Sequence, residues 1–226
     1  MKNLLIAAVL MFFAVAVKAQ DGSASFGINI KVYNPKADFN RNVNKTPAGI
    51  SINYLRTYKS SKFSWGGEFG TAMYSSDEYT IDYAGQNLTI YEEDCFFTFH
   101  GFARYNLYEA KGLKVYGEGR IGITTFFSST EAIIEDTGFE GEFDIHGSAF
   151  NLGLGAGVLF NTSTLFKPDN EPGNVWINLG FNGHSGTKAT YRLLPEGSAT
   201  HSFEDGQYES LTHYLGFKAG VAFGIG

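Results

Sequence analysis

The chain reads as an all-β protein, an eight-stranded antiparallel transmembrane up-and-down β-barrel following a cleaved signal peptide. Three observations predict this. Apolar residues recur at every second position over whole segments, which is the period of an extended strand and not of a helix. The segments reach the roughly 9–11 residues that a tilted strand needs to cross a bilayer. Their connections alternate between long and short, as they must when one end of a barrel faces outward and the other faces the periplasm.

The leader comes first. Lys2 precedes an uncharged run from Leu4 to Val17, and Val17 and Ala19 supply small residues for cleavage. A basic start, an apolar run of about 7–15 residues and a small-residue exit define a secretory signal peptide. Residues 1–19 are therefore assigned to it and residues 20–226 to one barrel domain. Loss of Lys2 and Lys18 takes the formal charge from −6 to −8. An acidic chain of this kind is a poor partner for nucleic acid, whose phosphates select basic surfaces. Cys95 is the single cysteine, so no internal disulfide forms.

Each strand is read by its alternation. Residues 25–33 set Phe26, Ile28, Ile30 and Val32 against Gly27, Asn29 and Lys31; Asn34-Pro35 then breaks the pattern, and a polar loop runs to Pro47. Residues 48–58 set Ile50, Ile52 and Tyr54 against Ser51 and Asn53. After a short turn, residues 63–74 set Phe63, Trp65, Phe69 and Met73 against Ser64, Glu68 and Gly70. Residues 75–94 form a long acidic stretch, read as a loop. Residues 95–108 then oppose Phe97, Phe99 and Tyr105 to Thr98, His100 and Arg104.

A short turn leads to residues 113–127, with Leu113, Val115, Ile121 and Ile123 opposite Tyr116, Glu118 and Arg120. A second acidic loop is read over 128–144. Residues 146–160 place Phe150, Leu152, Leu154 and Val158 against Asn151, Gly153, Gly155 and Gly157. The seventh strand starts at Val175 and opposes Ile177, Leu179 and Phe181 to Asn178, Gly180 and Asn182. A last long loop, 183–209, precedes the eighth; the β-rich character of 187–194 within it leaves ten strands as an alternative to eight. In the eighth strand Leu215, Phe217, Ala219, Val221, Phe223 and Ile225 face away from Gly216, Lys218 and Gly220.

Alternation alone leaves open which face points outward. A soluble lipocalin-like barrel would turn its aliphatic face inward around an apolar ligand. The membrane reading turns that face to lipid and encloses Lys31, Glu68, Arg104, Glu118, Arg120 and Lys218. These sit mid-strand on the opposite face and carry both signs. Strands three to five are neighbours, so Glu68, Arg104 and Glu118 are expected to form a carboxylate–guanidinium–carboxylate ladder. An eight-stranded interior is just wide enough for side chains to fill it. The expectation is a lumen plugged by paired charges.

Two further groups carry possible chemistry. The acidic loops hold oxygen-rich sets, with Asp77, Glu78, Glu135 and Asp136 as weak candidate ligands for Ca²⁺ or Mg²⁺. No metal-ligand spacing or nucleotide fingerprint is present, and no cofactor is expected. His146 and Ser148 share one face of the sixth strand near its outer end, with Glu142 close in sequence. Those are the parts of a serine hydrolase acting on lipid.

The leader, the eight alternating segments, strand ends such as Gly216-Phe-Lys-Ala-Gly-Val-Ala-Phe223, and the bias of 28 Gly, 21 Phe and 13 Tyr resemble the small outer-membrane β-barrel proteins of Gram-negative bacteria. Within them, the porin-family barrels common in Bacteroidetes are the most similar in pattern. The resemblance covers the mature chain. It implies a protein of the Gram-negative outer membrane, in contact with lipid and lipopolysaccharide and inserted by the barrel-assembly machinery. Chains of that family usually end on an aromatic residue, whereas Phe223 is followed here by Gly224-Ile225-Gly226. The His146-x-Ser148 pair is similar to that of outer-membrane lipid A deacylases, with Ala149 where those carry asparagine. The functional expectation is a non-enzymatic structural or loop-mediated interaction role. Its alternatives are an outer-leaflet lipid hydrolase and a lumenal binder or transporter of a small apolar ligand.

Overall fold

A computed structural model describes residues 22–42, 46–58, 61–83, 86–134, 139–166, 173–192 and 207–225. Residues 1–19, expected as a signal peptide, and Glu135, Asp136 and Gly226 lie outside them. Eight strands follow in order: β1 (Gly22–Lys36), β2 (Ala48–Tyr58), β3 (Phe63–Tyr83), β4 (Gln86–Ala110), β5 (Leu113–Ile134), β6 (Phe139–Asn161), β7 (Val175–Arg192) and β8 (Gln207–Ile225). Two short helices, α1 (Ala37–Asn42) and α2 (Thr162–Phe166), sit in connections. Each strand pairs antiparallel with its sequence neighbours, and β1 closes on β8 through pairs such as Ile28↔Val221 and Val32↔Phe217. Closure removes every edge through the wall, and this is what permits a sheet to cross lipid.

The wall has the predicted polarity. Leu154 is 77 % exposed, Ile30 66 % and Phe217 56 %, while Lys31, Glu68, Arg120 and Lys218 are all under 5 %. An apolar band this continuous has no favourable solvent other than acyl chains. On β3 it runs from Phe63 to Met73. Those 11 residues match the span of a membrane strand.

The strands do not stop where the band stops. Residues 75–94, expected as a loop, instead extend β3 and β4 to the pair Tyr83↔Gln86, and the segment 128–144 likewise extends β5 and β6 to Ile134↔Phe139. Acidity is an unsafe loop signal here. Beyond the band the outward row meets water and tolerates charge at Asp77, Glu78 and Glu93, while the inward row stays buried at Ile90 and Thr130. Tyr79, Thr80, Thr89, Ile90 and Tyr91 carry high strand propensity. A register shift between Met73 and Ser75 marks the change of environment. The last loop is shortened in the same way, with β7 reaching Arg192 and β8 starting at Gln207.

The short connections and both barrel termini lie at one end. There Gly112 takes φ 78°, a conformation that L side chains rarely adopt, and closes the β4–β5 turn. At the other end the chain bends inward after β1. Ala37 takes φ 51° and α1 packs against β8 and β1, which drops Phe39 into the mouth of the barrel at 1 % exposure. The loop before Pro47 is thus partly an inward cap.

Leu154→Arg should destabilise the barrel by about 2–4 kcal/mol in lipid vesicles. Glu131→Lys, beyond the band, should change stability by less than about 0.5 kcal/mol. Urea refolding followed by heat-modifiable gel mobility measures both.

Candidate functional site: the barrel lumen

The inward row of each strand stacks into layers along the axis. The central layer is ionic. Arg120 donates from Nη1 to Glu68 Oε1 at 2.7 Å and from Nε to Glu118 Oε1 at 2.8 Å. Lys31 Nζ also binds Glu68 Oε1. Glu118 additionally receives Lys218 Nζ at 2.7 Å and Arg104, whose Nη2 lies at 2.9 Å and Nε at 3.2 Å. All six charged residues singled out from the sequence therefore meet in one network, but the wiring differs from the expected ladder. Arg104 stands opposite Ser64, four residues along β3 from Glu68. That offset is about 13 Å. Arg120 stands two residues from Gly122, the level of His100 and Glu68, and bridges both carboxylates instead.

Aromatic faces hold the cations from the side. The Arg104 guanidinium lies 3.8 Å from the Tyr116 ring centroid, and Arg120 lies 5.3 Å from that of Phe102. Tyr116 lies over the neighbouring strands β6 and β7, where Gly157 and Gly180 offer no side chain. A Cβ on Gly157 or Gly180 would stand 2.4 or 2.8 Å from its hydroxyl. Tyr116 in turn donates to Asn178 Oδ1 at 2.8 Å, and Asn178 Nδ2 to Asn29 Oδ1 at 3.1 Å. Asn29 and Asn178 thus join the polar pairing, whereas the Asn182 carboxamide has no hydrogen-bond partner among the described residues.

Above the ions lies a layer of imidazole and phenol rings. His100 and His184 have centroids 4.7 Å apart, and His184 stacks on Tyr214 at the same distance. Both ring nitrogens of His100, and Nδ1 of His184, have no hydrogen-bond partner among the described residues. Above these rings again, Tyr33, Tyr74, Phe96, Phe126 and Phe39 form an apolar cluster with Ala72, Ala149 and Ala189. Phe39 meets Phe126 edge-on at 5.5 Å and Phe96 meets Tyr33 edge-on at 5.0 Å, geometries favoured by ring quadrupoles.

Sequence reasoning missed this upper cap. A signal existed in Phe39, a large apolar residue inside an otherwise polar connection, and in Tyr74, Phe96 and Phe126 on the inward rows.

The remaining candidates lie elsewhere. His146 and Ser148 are exposed on the outer face of β6 at the upper edge of the apolar band. The Ser148 hydroxyl is paired with that of Thr125 across the sheet at 3.1 Å, and the His146 ring lies 6.0 Å from that of Phe127. The side chain of Glu142 lies outside the described residues. Asp77 and Glu78 sit exposed on the outer extension of β3, where Ser75 donates to Asp77 Oδ2 at 2.5 Å. No group of three metal-ligating side chains occurs among the described residues.

No family model matches the chain, and no curated protein matches it. Solved structures do. Ail, the attachment invasion locus protein of Yersinia pestis, in complex with the heparin analogue sucrose octasulfate, is 14 % identical, with 91 % of this chain and 100 % of that chain covered at a TM-score of 0.52. The fold is that of the small outer-membrane β-barrels. Neisserial surface protein A is 11 % identical, with coverage of 90 % and 99 % and a TM-score of 0.46.

Arg120→Met should destabilise the barrel by about 3–5 kcal/mol, because two buried carboxylates lose their shared partner. His100→Leu removes a buried polar ring without breaking a bond and should leave stability unchanged or raise it. Paired urea titrations in the same vesicles compare the two.

Proposed function

We propose that the protein is a non-enzymatic component of the Gram-negative outer membrane, closed to solutes and presenting its outer hairpins for interaction. The carrying observation is the pairing of a filled lumen with projecting strands. The ionic side chains are 0–3 % exposed and Phe39 caps the rings above them, while β3 to β6 continue past the apolar band as two long hairpins. A wall that spends its interior on closure leaves its outer surface as the working part. Export by residues 1–19 and insertion by the barrel-assembly machinery belong to the same reading.

The chemistry of the hairpins selects the partner. Residues 75–94 and 128–144 contain no Lys or Arg, and Asp77, Glu78, Glu93 and Glu131 are exposed. Ail was solved with a polyanion. Here the projecting surface has the opposite preference and favours a cationic partner, or divalent cations bridging to anionic lipopolysaccharide. The lipid hydrolase alternative finds less support, since the Ser148 hydroxyl is shared with Thr125. A lumenal apolar ligand is disfavoured by an ionic central layer.

Reconstituted in planar bilayers, the protein should show no sustained conductance; a stable open channel in the unaltered protein would overturn the closed reading. Cells displaying it should bind fluorescent polylysine in a salt-sensitive manner. A variant carrying Asp77→Asn, Glu78→Gln, Glu93→Gln and Glu131→Gln should lose most of that binding, and equal binding at 50 and 500 mM salt would contradict the interaction role.

A further inference from the structure

Below the ionic layer the lumen widens into a cavity of about 290 Å³ at the end that bears the short turns. Its lining includes Arg104, Asn53, Ser64, Asn106, Trp176 and Lys114. Arg104 spends Nε and Nη2 on Glu118, while its Nη1 makes no hydrogen bond among the described residues. Asn53 is 8 % exposed and its Oδ1 has no partner among them. A carboxamide can present either its donor or its acceptor end by turning over. The Lys114 ammonium lies 5.1 Å from the Trp176 ring centroid and 4.0 Å from Glu109 Oε2. Glu109 also accepts from Asn106 Nδ2 at 2.6 Å, but it stands outside the lining.

No carboxylate lines the cavity among the described residues. The layer above it sets four cations, Lys31, Arg104, Arg120 and Lys218, against two carboxylates, Glu68 and Glu118. That positive excess lies between low-dielectric walls, which focus its field toward the cavity. The size is near the lower end of small-molecule sites, which begin at about 300 Å³.

We infer that this cavity is a binding site, open to the periplasmic side, for a small oxyanion ligand: a carboxylate or phosphate group on a compact body. Arg104 Nη1 donates to the anionic group, the Asn53 carboxamide supplies a second polar contact, and Lys114 adds charge at the rim. Trp176 offers a flat apolar wall to the body of the ligand. The ionic layer stops the ligand from going further, so the site holds and does not conduct. It faces away from the hairpins and does not depend on what they bind.

The test uses the full chain folded in detergent, with Trp65→Phe leaving Trp176 as the reporter; the chain has two tryptophans. Sodium acetate and inorganic phosphate are titrated separately, with sodium chloride holding ionic strength constant. A saturable change in Trp176 fluorescence is expected, weakened about tenfold by Arg104→Gln and less by Lys114→Gln. Saturation by acetate assigns a carboxylate ligand and saturation by phosphate alone a phosphoryl ligand; either supports the site. A linear response to both anions overturns it, as does equal affinity in the folded variants. Lys114 is half-exposed, so Lys114→Gln decides the question if Arg104→Gln does not fold.

Discussion

Arg120 is the contact on which the interior depends. Two carboxylates on different strands project into an interior closed off from bulk solvent, and one guanidinium donates to both. An isolated buried charge costs several kcal/mol, and mutual attraction offsets this only where every lone pair finds a donor. Lys31, Lys218 and Arg104 complete that requirement. Through these pairs β1, β3, β4, β5 and β8 are tied together across the axis, a restraint that backbone ladders around the circumference do not provide.

The layers above and below follow from this one. The tyrosine and asparagine contacts beneath it spread the polar network toward the cavity, and glycines on β6 and β7 give Tyr116 its room. Above it the environment becomes apolar within one or two turns of the inward row. There Phe39 closes the mouth from a connecting segment. The barrel therefore has a polar cavity at one end, an ionic middle and an aromatic lid. This asymmetry is consistent with one end working as a receptive site and the other as a base for projecting hairpins.

The wall was legible because its physics is local. Ile28, Ile30 and Val32 alternate with Asn29 and Lys31, and no neighbour is needed to know that these belong on opposite faces of a strand. The grouping of all six charges on the face opposite the aliphatics followed from the same period. Where solvent changes, local reasoning failed. Asp77, Glu78 and Glu92 look like loop residues only if every strand is assumed to end at the membrane surface. The hairpin alternation continues through them.

The sequence by itself determined the alternating strands and gathered the six charged residues on one face of them, since a strand's period acts at each residue; closure at eight strands came with the structure. Tertiary structure decided who pairs with whom. Register put Arg104 beside Glu118 and away from Glu68, gave the bridging place to Arg120, and left Arg104 Nη1 without a partner among the described residues at the edge of the cavity. It also turned Phe39 inward, because a left-handed residue at Ala37 and the width of the mouth, and no periodic signal, direct that connection into the lumen.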